Sequence, residues 1–420
     1  MGTGLATIAL GLLAFELAGA KAGQVLGTAL AIKMLAYVGI APVAQAALGR
    51  VSVKKLLITL DMLRAGIMLC LPFITEIWQI YVLVFLLQAA SASFTPSFQA
   101  VIPEVLPNEA EYTRALSLSR LTYDIENLIS PMMAAVLLLV MPFNLLFVGT
   151  AFGFLASAWL VSITPFPARP KAKATTSFMT RLTSGVKIYF ATPRLRGLLS
   201  LNMAAAAGSA MVIVNTVVII REHYALGAAH VGVGFAAYGM GSMLAALLLP
   251  RLLGKTGDRL PMLLGAVLLT LCMFAGASLF LSRPPLPVFL ALWFVAGLAY
   301  STVLTPSGRL LQRSAHPSAR PALFAAQFAL SHACWLLTYP LAGWLGARFG
   351  MDAAFLALGI IAAVSVGVSV WQWPRQTGGV LAHSHPELPA NHPHLSDTNA
   401  SQHSHNYIID ALHLRWPTQK

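Results

Sequence analysis

Apolar residues run along the chain in blocks of about 20, each broken by a short stretch rich in charge or proline. A helix of about that length, rising 1.5 Å per residue, crosses a hydrocarbon core about 30 Å thick. Twelve such blocks are readable, over residues 1–20, 24–47, 56–75, 78–100, 117–140, 142–163, 197–221, 230–253, 261–282, 286–307, 321–347 and 351–373. The pattern predicts an all-α polytopic membrane protein of twelve transmembrane helices, since a helix satisfies its own backbone hydrogen bonds inside lipid.

The longest interior polar stretch, PFPARPKAKATTSFMTRLTSGVKIYFATPRLR over residues 165–196, carries seven basic residues and no acid, and it divides six blocks from six. Short pieces recur at matching places on either side. Thr95-Pro96-Ser97 ends the fourth block and Thr305-Pro306-Ser307 the tenth; Leu48-Gly49-Arg50 follows the second and Leu253-Gly254-Lys255 the eighth. Such weak internal symmetry is what two parallel six-helix repeats leave behind, with a substrate path between them. The expected units are an N-terminal bundle over 1–164, a central loop over 165–196, a C-terminal bundle over 197–373 and a polar tail over 374–420.

Composition agrees: 57% of the 420 residues are hydrophobic and 10% charged, with mean hydropathy +0.74, outside the range of soluble domains. A net charge of +13 would point to nucleic acid in a soluble protein; here the positive-inside bias of membrane loops accounts for it, and no nucleic-acid partner is expected. With the N-terminus inside, the inner connections carry most of the basic residues, from Arg50, Lys54 and Lys55 to Arg309, Arg313 and Arg320. The other side carries Lys21, Arg221, Arg283 and Arg348. Both termini are therefore expected in the cytoplasm of a multi-pass inner-membrane protein. Ala18-Gly19-Ala20 resembles a signal-peptide cleavage site, but no basic residue precedes the first block, and losing it would break the loop parity. Cys70, Cys272 and Cys334 all lie in apolar runs, so no disulfide framework is readable.

Ionisable groups within these blocks cost about 3 kcal/mol each on insertion scales, so each needs a partner, a wet path or a role. Asp61 and Arg64, three residues apart on one helical face, are expected to pair. Lys33 needs an acid from a neighbouring helix. Asp124 and Glu126, with Asn127, fall within the fifth block. Together with Glu16 and His332 they are the candidates for a translocation path on which a divalent cation and a proton compete. Glu222, His223 and His230 stand where an exit site on the far side would be.

The tail changes the chemistry under consideration. Seven of the eleven histidines lie after residue 373, at His383, His385, His392, His394, His403, His405 and His413, six of them as His-x-His pairs. Residues i and i+2 of an extended chain share a side, so each pair can offer two imidazoles to one ion. Imidazole suits nickel, cobalt, zinc and copper(II), and a tail without thiols argues against copper(I). Its polar, Pro-rich composition is expected to leave it disordered without ligand.

Over residues 1–373 the chain resembles the major facilitator superfamily. The strongest piece is SASFTPSFQAVIPEVLPNEAEYTRALSLSRLTYDIENLISP (91–131), which is similar to the drug-efflux-like branch. GTGLATIALGLLAFELAGA, LTYPLAGWLG and the His-rich tail resemble nickel- and cobalt-resistance exporters. The resemblance implies helices lining a central path, residues ahead of the GTGL stretch, and acidic-basic loop contacts that gate transport. The second-half loop GKTGDR keeps Asp258 and Arg259 for that contact, whereas the first-half loop LGRVSVKK has Gly49 where an acid is common. Together these features predict a monomeric, non-enzymatic secondary exporter of nickel or cobalt driven by proton antiport, with the metal as cargo and no resident cofactor. No phosphate-binding Gly-x-x-x-x-Gly-Lys-Ser/Thr loop is present to suggest ATP drive. Efflux of drugs or a siderophore, with the tail peripheral, is the alternative, and a tail-based metal sensor lacks an appended signalling domain.

Overall fold

A computed structural model describes residues 2–47, 52–99, 130, 133–134, 136–165, 178–315, 319–373, 380–384, 402–409, 413 and 416. The first half supplies α1 (Gly2–Ala18), α2 (Ala22–Ala47), α3 (Val53–Cys70), α4 (Ile77–Gln99) and α5 (Asn144–Ile163). A connecting helix, α6 (Phe178–Ala191), leads to α7 (Pro193–Val218), α8 (Ala228–Thr256), α9 (Arg259–Leu279), α10 (Leu286–Leu304), the short α11 (Ser307–Gln312), α12 (Arg320–Phe349) and α13 (Met351–Gln372). Among the described residues ten helical runs are long and apolar enough to cross a membrane. One of them, Gly4–Gly39, contains both α1 and α2. The chain reverses between these two at Gly19, whose φ of +54° suits a residue without Cβ, and the helices pack together. Every expected span is thus met except the fifth, whose residues 117–140 lie mostly outside the described ones.

The two halves pair their helices in the same way. In the first, α2 packs on α4, α3 on α5 and α1 on α5; in the second, α8 packs on α10, α9 on α13 and α7 on α13. Counted by span, each half joins its second helix to its fourth and its sixth to its third and first. This is the internal repeat that the short sequence matches hinted at.

The central connection is not a plain loop, and here the sequence reading needs correction. Residues 178–191 are helical, with Gly185 seated against the Ala322 carbonyl and Tyr189 donating a hydrogen bond to Gln327 of α12. Burial pushes the Tyr189 phenol pKa above its ordinary value. Helix α7 also starts at Pro193 rather than 197, because proline at the first helical position needs no hydrogen-bond acceptor and presets φ.

Helix α7 is the mast of the second half, buried along nearly all its length. Its run Ala204–Ala207 with Gly208 keeps side chains short enough for neighbouring backbones to approach. Among the described residues the halves meet mainly where α1 and α2 touch α7 and α12. A Cβ on Gly343 would stand 2.1 Å from the Gly23 carbonyl oxygen, and one on Gly27 would stand 2.4 Å from that of Tyr339. The seam between α2 and α12 therefore closes backbone to backbone. Asn215 of α7, fully buried beside it, donates to the Ala342 carbonyl at 3.1 Å.

After α13 the tail forms two antiparallel strands, β1 (Val380–Ser384) and β2 (Gln402–Asn406), followed by buried Tyr407, Ile409 and His413. The expectation of a disordered tail meets two short strands here, and the rest of the tail lies mostly outside the described residues. A ladder satisfies the backbone of β1 and β2, and the aromatic end of the tail finds apolar cover.

Candidate functional site

The seam between the halves carries polar and aromatic side chains halfway along α2 and α12. Lys33 and Tyr37 lie one turn apart on α2; Phe328, His332 and Trp335 follow one another at helical spacing on α12. The Tyr37 ring centroid is 5.6 Å from that of His332 and 5.9 Å from that of Phe328, and Lys33 Nζ is 5.9 Å from the Tyr37 centroid. The His332 ring lies 3.9 Å from Phe328 and 6.3 Å from Trp335, whose indole donates at 2.9 Å to Ser209 of α7.

His332 Nδ1 is 2.7 Å from the Phe328 carbonyl oxygen. A carbonyl only accepts, so this nitrogen carries the hydrogen and Nε2 of the neutral ring keeps a lone pair. Such a nitrogen can take either a proton or a late transition-metal ion. Lys33 across the seam holds positive charge nearby, which opposes a second cation there. The second half adds a tyrosine group, with the Tyr238 and Tyr300 rings 5.8 Å apart and Tyr339 buried on α12. Sequence reading found Lys33 and His332 as intramembrane polar residues but missed Tyr37, Trp335, Tyr238 and Tyr300. An aromatic ring in an apolar run gives no signal of which way it faces.

The basic ends of the second half converge on Asp258, in the turn between α8 and α9. Arg309 donates through Nε at 2.6 Å to Asp258 Oδ1 and through Nη2 at 3.1 Å to the Leu253 carbonyl; Arg313 approaches Oδ2 at 3.4 Å. Arg194, at the start of α7, donates to Ser314 Oγ at 2.9 Å and to the Arg313 carbonyl at 2.7 Å. Arg259 donates to the carbonyl of Trp373 at 2.9 Å. One carboxylate thus ties the α8–α9 turn to the end of α10 and α11, and the neighbouring arginines extend the network to the ends of α7 and α13.

Asp61 and Arg64 pair with each other inside the first half, and the guanidinium lies 4.0 Å from the Phe94 centroid and 4.5 Å from that of Phe154. This enclosure among α3, α4 and α5 is the arrangement of a structural pair. Glu16 is exposed in the last turn of α1, away from the His332 cluster and near the opposite face. There a cleft of about 260 Å³ is lined by Ala20, Glu222, His223, Arg283 and the α12–α13 turn, while His230 is exposed on α8. Tyr224 beside the cleft donates to the Pro284 carbonyl at 2.7 Å, and burial pushes its pKa up to about 12. Asp124, Glu126 and Asn127 lie outside the described residues, as do His385, His392 and His394.

In the tail ladder His383 pairs with His403, and His405 pairs with Leu381. His413 is 2% exposed, with its ring 4.6 Å from that of Tyr407, just past β2. Among the described residues no three His, Cys, Asp or Glu gather closely enough to hold a metal ion.

The profile of the Major Facilitator Superfamily matches residues 1–216 and 198–395. No curated protein matches the chain. Solved structures with a similar fold include a point mutant of the nucleoside transporter NupG, with a TM-score of 0.66 at 12% identity over 89% of this chain and 100% of that one. A bacterial homologue of the human lysosomal transporter Spinster, inward-facing and unoccupied, reaches 0.65 at 11% identity over 88% and 96%. A D-xylose–proton symporter reaches 0.62 at 13% identity over 89% and 94%. With the repeated helix pairing and the profile match across both halves, the chain belongs to the Major Facilitator Superfamily, a family of transporters.

Proposed function

We propose that the chain is a proton-driven exporter of divalent transition-metal ions, nickel or cobalt, in the inner membrane, with both termini in the cytoplasm. The observation that carries the substrate class is the register of the tail, which sets His383 against His403 with His405 two residues on. Directly opposed positions in an antiparallel ladder lie about 5 Å apart, so the register brings backbone positions of two His-x-His segments side by side. That clustering supports reading the tail as a collector of cytoplasmic metal.

Within the membrane, Nε2 of His332 is the exchange point. Protonated, it is a cation beside Lys33 and repels a metal ion; neutral, it is a ligand. Rocking of the two halves about the α2–α12 seam then exposes the ring to each side in turn. A bound proton entering from outside displaces the metal outward, and loss of that proton inside restores the ligand. The partners are thus metal ions, protons and lipid.

The aromatic side chains Tyr37, Trp335, Tyr238 and Tyr300 along the helices favour a second reading, efflux of an organic molecule held by its flat faces. Growth of an expression strain separates the two. Metal export predicts nickel or cobalt tolerance that falls when residues 383–413 are deleted, with no gain against a panel of aromatic drugs. Drug tolerance without metal tolerance would replace the first reading with the second.

A further inference from the structure

A groove of about 350 Å³ lies between α7, α12 and α13, lined by Leu199 and Met203, Ala333 and Leu337, and Val364 and Val368. It opens to the outside of the bundle, where Leu337 and Val364 are 62% and 60% exposed. The polar residues in its wall donate to their own helices: Ser200 Oγ to the Arg196 carbonyl at 3.2 Å, Ser365 Oγ to that of Ile361 at 2.7 Å and Cys334 Sγ to that of Leu330 at 3.5 Å. With these hydrogens already engaged, the wall suits a hydrocarbon chain better than a polar solute.

Toward the end of the bundle where α7 begins, Arg196 lies one turn before Leu199 and Ser200 on the same face. Side chains of a helix lean toward its N-terminus, so Arg196 runs from the groove toward that end. A Cβ on Gly197 would stand 2.7 Å from Trp373 Cβ and 3.3 Å from Ser369 Oγ, which sets Arg196 level with the last turn of α13. That turn carries Trp371, 81% exposed, where an interfacial aromatic belongs, and Val364, Val368 and Trp371 share one strip of the helix.

Charge at this end is one-sided. Among the described residues of the second half Asp258 is its one carboxylate, and Arg309 and Arg313 take both oxygens. Arg259 donates to the Trp373 carbonyl, and Arg194 is engaged by Ser314, the Arg313 carbonyl and the Trp416 ring 5.5 Å away. Arg196 Nε, by contrast, is buried with no hydrogen-bond partner among the described residues.

We propose that Arg196 and the groove form a binding site for an acidic phospholipid of the leaflet on that side. The phosphate takes the Arg196 guanidinium, whose paired N–H donors match its oxygens, and one acyl chain lies between α7, α12 and α13. The surplus of arginines selects an anionic headgroup over a zwitterionic one, whose own cation would face Arg194 and Arg259.

The test gives full-length protein in detergent either phosphatidylglycerol or phosphatidylcholine with a diazirine in the acyl chain, irradiates it and maps the crosslinked peptides by mass spectrometry. Phosphatidylglycerol is expected to label residues 330–337 and 364–368 about fivefold more than phosphatidylcholine does. Arg196→Gln should remove that preference and Arg196→Lys should keep it, which separates loss of the charge from loss of the fold. Ala333→Phe, which fills the groove without touching the charge, should remove the labelling of these segments. An unchanged preference in Arg196→Gln, or labelling spread evenly over the lipid-facing helices, would overturn the site. Competition by soluble glycerol phosphate as strong as by unlabelled phosphatidylglycerol would also overturn it, because the ligand would then be a free phosphate with no use for the groove.

Discussion

Replacing Gly343 by alanine addresses the α2–α12 seam about which the proposed cycle rocks. The new methyl would stand 2.1 Å from the Gly23 carbonyl oxygen and 3.0 Å from Gln24 Cα, so α2 and α12 must part by about 1 Å to reach ordinary contact. Both obstacles are backbone, which cannot swing aside as a side chain can. Overpacking of this kind costs about 1–3 kcal/mol. The cost falls on the state in which the seam is closed and not on the state in which the halves have separated there. The equilibrium between the two should therefore move about five- to 150-fold toward opening on the face of the Glu222–His223–Arg283 cleft. The assay is labelling of a single Ala347→Cys, in the wall of that cleft, by a membrane-impermeant maleimide, with Cys70, Cys272 and Cys334 replaced by serine or alanine. Gly153→Ala is the control, since a Cβ there meets nothing within 4 Å. Faster labelling in Gly343→Ala but not in Gly153→Ala is expected. Equal labelling of two well-folded variants would refute the reasoning, because a methyl with no room would then have displaced nothing.

Other consequences are separable. His332→Ala should abolish proton-coupled metal movement, and His332→Gln should not restore it, since an amide takes up no proton; a pH-sensitive dye trapped in vesicles reads the coupled flux. Asp61→Asn alone leaves Arg64 without its counter-charge among Phe94 and Phe154 and should cost about 3 kcal/mol in detergent thermal unfolding. The double change Asp61→Asn with Arg64→Leu should recover most of that loss, and failure to recover would give the pair a role beyond packing. Nickel capture by the tail should weaken as pH falls through about 6.5, because protons compete for each imidazole. For a site of two imidazoles the loss approaches a hundredfold per pH unit below that value, measured by calorimetry at pH 7.5 and 5.5.

The architecture was legible because lipid allows few solutions: once the apolar blocks are counted, helix number follows from their length, and the charged centre marks the division into two halves. The helical content of 178–191 was hidden by its polarity. Its buried Gly185 and Tyr189 are one turn apart, but TTSFMTRLTSG reads as loop chemistry until α12 is there to receive them. His332 and Lys33 stood out as costly residues in lipid, yet nothing in the sequence said that α2 and α12 face one another. The seam glycines were equally silent, since a glycine in a membrane helix marks close approach only when its neighbour is known. In the tail, the spacing of histidines carried the expectation of metal chemistry, while the register of the strands and the seat of Trp416 on Arg194 depend on contacts far apart in the chain.

The most direct test of the central claim is uptake of radioactive nickel by inverted vesicles holding the full-length protein and an acidic interior. Proton-driven export predicts accumulation of nickel inside, abolished when an ionophore dissipates the pH gradient. Folded protein that moves no nickel under that gradient, or moves it equally well after the gradient is gone, would contradict the account.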